Sequence, residues 1–155
     1  MMLPLTLILI LLLAPPAQAA RRVGEAQVRE GANGVPCFTI SEREEQRGGI
    51  PDFQSVTVSE ARGKLMWRMA MPRERTFPVM NSMCIPYGGR VQALPQTPAA
   101  VLAPDKAYLV QIEARPGRKA SMPLRYQARF CLVKKTGGLM GLCPEAGPAV
   151  AAARR

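Results

Sequence analysis

The chain contains no histidine. That removes the commonest general base at neutral pH and the commonest metal ligand. Asp52 and Asp105 are its only aspartates, and each follows a proline in a turn context. Glu42, Glu44 and Glu45 share one short stretch with Arg43 and Arg47, which reads as a solvated charged surface. No Gly-x-Ser-x-Gly, no phosphate-binding loop and no catalytic-looking carboxylate pair occurs, so the inventory an enzyme needs is empty. The four cysteines include no Cys-x-x-Cys pair, which speaks against a zinc cluster. The expectation is a non-catalytic protein with no metal and no cofactor. Aromatic residues are scarce, at 5%, and do not interleave with basic ones, so no stacking surface for nucleic acid is expected.

Long apolar runs are also missing, with one exception: Leu5 to Leu13. It is too short to span a bilayer comfortably. Pro15 and Pro16 break it, and Ala17-Gln18-Ala19 supplies the small residues a signal peptidase requires. Residues 1–19 therefore read as a secretory signal peptide cleaved near Ala19, although a positive n-region is lacking. No cysteine follows the run, so no lipid or other stable membrane anchor is expected and the mature chain reads as periplasmic or secreted. Residues 20–143 read as one domain, and 144–155 as a disordered Ala/Pro/Arg tail.

What the chain has in excess is positive charge, +10 in all, with none of it in the signal segment. Such an excess favours acidic partners and speeds association with them. A composition rich in Ala, Arg, Gly and Pro is the bland alternative.

The organising stretch runs from Leu102 to Val133. Tyr108, Val110, Ile112 and Ala114 alternate with polar residues, and so do Leu124, Tyr126, Ala128, Phe130 and Leu132. Period-two alternation describes strands with one buried face, and two such strands close in sequence pair antiparallel. Leu102 to Tyr108 has the form of a tyrosine corner, in which a strand-start Tyr bonds back to the preceding loop; otherwise Tyr108 is simply a strand aromatic. Upstream, Glu25 to Arg29 suits a first edge strand, Asn33-Gly34 a tight turn, and Pro36 to Ile40 a strand with Phe38 and Ile40 inward. Ser41 to Pro51 is a charged loop with room for a short helical turn ended by Gly48-Gly49. Val56 and Val58 mark another strand. Leu65, Trp67, Met69 and Met71 share a face of the next, with Trp67 either a core residue or a ligand platform. The sum is all-β: an Ig/fibronectin-like antiparallel sandwich of roughly seven strands with two disulfides.

A three-residue loop at Thr136 to Gly138 would set Lys135 opposite Leu139 and, counting back, Cys131 opposite Cys143. That leaves Cys37 with Cys84. Cys37–Cys131 or Cys84–Cys131, with a loosely held Cys143, are the rival pairings. The basic loop between the two central strands, with Arg115, Arg118, Lys119 and Arg125 beside Met122 and Pro123, is the best interaction candidate; its alternative is a solvated hairpin tip. Arg73 and Arg75 form a weaker version in the turn Pro72 to Thr76.

Pro36-Cys37-Phe38-Thr39-Ile40, then Cys84-Ile85-Pro86-Tyr87, Leu102-x-Pro104 with Tyr108-x-Val110, and Tyr126-x-Ala128-x-Phe130-Cys131-Leu132 resemble, in that order, a family of small exported bacterial proteins, the type VI secretion system immunity periplasmic lipoproteins. The resemblance spans Gly34 to Val133. It implies a periplasmic β-rich domain that protects its producer by binding a toxic effector; the positive charge of the chain adds the expectation that this effector is an acidic or partly acidic protein. It departs at the lipidation cysteine, which Ala17 to Ala20 lacks. Two other roles fit an empty catalytic inventory: a cell-envelope or small-ligand binding module using the Trp67 face, and an assembly protein pairing through an edge strand.

Overall fold

The computed structural model describes residues 22–91, 94–116, 119 and 121–144. The expected signal peptide, the expected tail beyond Pro144, and Arg118 lie outside them. Nine strands occur among the described residues: β1 (Gly24–Glu30), β2 (Pro36–Ile40), β3 (Asp52–Glu60), β4 (Leu65–Ala70), β5 (Phe77–Pro78), β6 (Ile85–Pro86), β7 (Ala107–Ala114), β8 (Arg125–Lys134) and β9 (Met140–Leu142), with one α-helix, α1 (Glu42–Gly48), and a 3-10 turn at Ala32–Gly34. They form one connected mixed sheet in the order β4-β3-β7-β8-β1-β2-β6, curled into a half-barrel. β5 extends the β3 edge and β9 pairs with the far half of β8. The mainly β class and the two disulfides stand as expected.

The central pair follows its sequence parity. β7 and β8 are antiparallel, with Tyr108 opposite Phe130 and Ile112 opposite Tyr126. Tyr108, Val110, Ile112, Tyr126 and Phe130 all enter the core. The Tyr108 hydroxyl accepts from Ala103 N at 2.8 Å and donates to Ala103 O at 3.3 Å, the backward tie of a tyrosine corner.

β1 is not the edge strand its sequence suggested. It lies between β2, antiparallel, and β8, parallel through Gly24–Tyr126 and Glu25–Gln127. Gly24 permits this approach, because a Cβ there would strike the Tyr126 ring and Pro123. β2 is buried on both faces, Cys37 included, rather than alternating. Residues 80–84 clad its second face, and β6 pairs along its edge. Thr39 Oγ1 donates to Met80 O at 2.8 Å, Asn81 Nδ2 to Ile40 O at 2.9 Å, and Cys37–Cys84 binds the two together.

A bulge corrects the expected face of β4. Val58 pairs with Trp67 but Ser59 with Leu65, so Met66 is the extra residue. Leu65 turns out to 47% exposure and Met66 turns in. Trp67 is wholly buried, edge-on to Tyr87 at 5.4 Å. The outer edge of β4 is occupied as well: Ala70 N bonds Pro95 O, Thr97 N bonds Arg68 O and Ala100 N bonds Met66 O. At the other end of the sheet, Lys135 N bonds Leu139 O and Cys143 N bonds Cys131 O, in the register counted from the sequence, and Cys131–Cys143 closes the pair.

Candidate functional site

The end of the half-barrel where β7 hands over to β8 collects most of the basic residues singled out above. Arg115 follows β7. Its amide donates to Asp52 O, and its guanidinium Nη2 crosses the end of β3 to donate to Pro72 O and Arg75 O, both at 2.9 Å. The two basic stretches, 40 to 43 residues apart in sequence, thereby become one surface. Arg73, Arg75 and Lys119 are exposed. Arg125 is exposed too, 3.5 Å from the Glu113 carboxylate across the β7–β8 pair. Arg118 is not described. Met122 and Pro123 do not add apolar surface there; both are buried, Met122 beneath Gly48 of α1 and Pro123 beside Gly24.

The local backbone explains the assembly. Gln54 is the extra residue of a bulge between Phe53 and Ser55 of β3, where its carbonyl accepts from Met71 N. The bulge turns β3 at the point where β4 leaves it and β5 joins it, through Phe53–Phe77 and Asp52–Pro78. The chain between β4 and β5 therefore stands out as a loop, Pro72 to Thr76, directly beside Arg115. Phe77 follows at 39% exposure.

Where β3, the end of β7 and the start of β8 meet lies a cleft of about 350 Å³, lined by Arg22, Gln54, Glu113, Leu124 and Arg125 among others. Arg22 reaches from it to Glu44 of α1, Nη1 to Oε1 at 2.7 Å. That hydrogen bond holds the buried Glu44 carboxyl below the usual carboxylate range. Burial pushes the neighbouring Tyr126 phenol up to about 12, with the Glu44 charge adding to it. Arg22 Nη2, Glu44 Oε2 and Tyr126 Oη find no hydrogen-bond partner among the described residues. Sequence reasoning placed Glu44 on a solvated surface and passed over Arg22. The helical turn ended by Gly48-Gly49 was legible, and Ser41 and Gly49 cap it in the structure; the burial of Glu44 was not.

A second cleft, about 460 Å³, borders Trp67, Arg90, Gln96, Thr97 and Pro98. The indole offers it no exposed surface, being packed against Tyr87. Tyr87 is a tie between segments: its hydroxyl lies 2.7 Å from Ala100 O and 3.1 Å from Met66 O. Among the described residues no group of three His, Cys, Asp or Glu side chains is arranged to hold a metal ion.

Comparison with protein-family models, with curated proteins and with solved structures returned no match.

Proposed function

We propose that this chain is an exported, non-catalytic binding protein, a periplasmic immunity protein that neutralises a secreted bacterial toxin by direct contact. The contact surface is the basic end of the half-barrel. The observation that carries this reading is the reach of Arg115 to Pro72 and Arg75, which joins two sequence-distant basic segments. Arg73, Arg75 and Lys119 make no ion pair among the described residues, so their charge is available to an acidic protein. Neutralisation by occlusion needs shape and charge rather than chemistry, consistent with the lack of a catalytic motif. The same reading takes the half-barrel as a relative of Ig/fibronectin-like sandwiches, supported by the corner at Tyr108. The covered outer edge of β4 favours this reading over strand-pairing assembly.

The test is a pull-down from periplasmic extract of the native strain with the tagged mature chain, at low and high salt. The proposal expects one stoichiometric acidic protein, lost at high salt. Recovery of cell-wall material alone, from a strain producing its toxins, would transfer support to the binding-module reading.

A further inference from the structure

The loop from Pro72 to Pro78 combines properties that rarely coincide. Residues 73–78 are all exposed, yet the segment is tied along its length. Met71 N bonds Gln54 O before it, Val79 N bonds Pro51 O after it, and Arg75 N bonds Pro72 O within it. Arg115 holds two of its carbonyls from the side, and β5 fixes its exit on β3. An exposed loop held in one conformation by the body of the protein loses little conformational entropy on binding. Its tip carries Arg73 and Arg75, and its exit carries Phe77; arginine and aromatic residues are the side chains that dominate interface energetics. Residues 73–78 face solvent and line neither of the two clefts described above.

The geometry points to an inserting loop: Arg73 to Phe77 enters a concave site whose walls carry carboxylates, and the rest of the basic end seats against its rim. The occupant is thus an acidic cleft on a partner protein, not a flat acidic surface and not an extended acidic peptide. A carboxylate-lined cleft gives two arginines ion pairs shielded from solvent, and it takes the Phe77 ring between them and the β3 edge. This deepens the immunity reading and rests on it: the toxin would be blocked by plugging its acidic cleft.

Two measurements on the full mature chain test the inference. The first is limited trypsin digestion, since Arg73 and Arg75 are both exposed cleavage sites. The braced loop is expected to resist, and Arg115→Ala to speed cleavage there about tenfold while the melting temperature barely moves. Equal rates in the two proteins would overturn the bracing. The second uses a tetracarboxylated calix[4]arene, a synthetic acidic cup, titrated into isotope-labelled protein and followed by amide shifts. The largest shifts are expected at residues 73–77, and are expected to vanish in the variant R73A/R75A. Shifts centred on Lys119 and Arg125 would overturn the inserting loop while leaving the basic end as the contact surface. Shifts centred on Lys64 or Lys134, at the far end, would overturn both.

Discussion

Glu44 is buried and its folded pKa lies below the 4.5 of a free glutamate, chiefly because Arg22 donates to it. A depressed carboxyl contributes fully above its unfolded pKa, and the contribution is lost as pH falls through the lower folded value. Glu30, held down by Lys135 and by Leu142 N–H, acts in the same direction. Thermal melts should therefore be flat from neutrality to about pH 4.5 and fall below it. Glu44→Gln should lower the plateau and flatten the acid limb; an unchanged limb would show that the pair is not formed. At the alkaline end, Tyr87 and Tyr126 are pushed by burial to about 12. Unfolded phenols ionise near 10, so stability should decline from there upward. Tyrosinate absorbance from both should appear only near 12 or together with unfolding. Two glycines separate strain from space. Gly63 and Gly34 both have positive φ, but a Cβ at Gly63 meets nothing while one at Gly34 overlaps the Met140 carbonyl. Urea unfolding should give about 1 kcal/mol for Gly63→Ala, from strain alone, and more than about 3 kcal/mol for Gly34→Ala.

Strands whose two faces differ are legible from sequence, because period two maps onto burial one residue at a time. β7, β8 and the β8–β9 hairpin are such elements, and even the opposition of Cys131 and Cys143 follows from turn length. Elements fail to be legible where tertiary cover overrides period. β2 alternates in sequence yet is buried throughout, because residues 80–84 lie on its second face. β4 carries a bulge that no composition announces, and Leu65 and Met66 exchange places. β1 was read as an edge because it is polar; it became interior because Gly24 lets Tyr126 approach. Of the candidate site, the basic residues were visible singly. Their union was not, since it depends on Arg115 bonding to backbone carbonyls, which carry no sequence signal. The β8–β9 disulfide offers an element-scale prediction. Replacing both cysteines, C131S/C143S, opens a 12-residue separation and should cost about 3 kcal/mol in the chain-entropy model. Amide exchange at Gly141 and Leu142 should accelerate far more than at Val110 or Ile112. Uniform acceleration would mean that β9 is part of the global folding unit.

At the scale of the molecule, the half-barrel divides its labour between ends. One end is closed by Cys131–Cys143, by Lys135 on Glu30 at 2.7 Å and by the corner at Tyr108. The other end presents Arg73 and Arg75 on a braced loop, an exposed Lys119, and Arg125 at the wall of a cleft. With a formal charge of +10, long-range attraction toward an acidic partner should be general, but docking should be local to the second end. The most direct measurement is an amide-exchange footprint of the mature chain, free and bound to the protein it captures from its native periplasm. Protection confined to residues 72–78 and to the segments flanking Arg115 and Arg125 is the result this account predicts. Protection centred instead on Glu60 to Lys64, or on the loop after Tyr87, would contradict it.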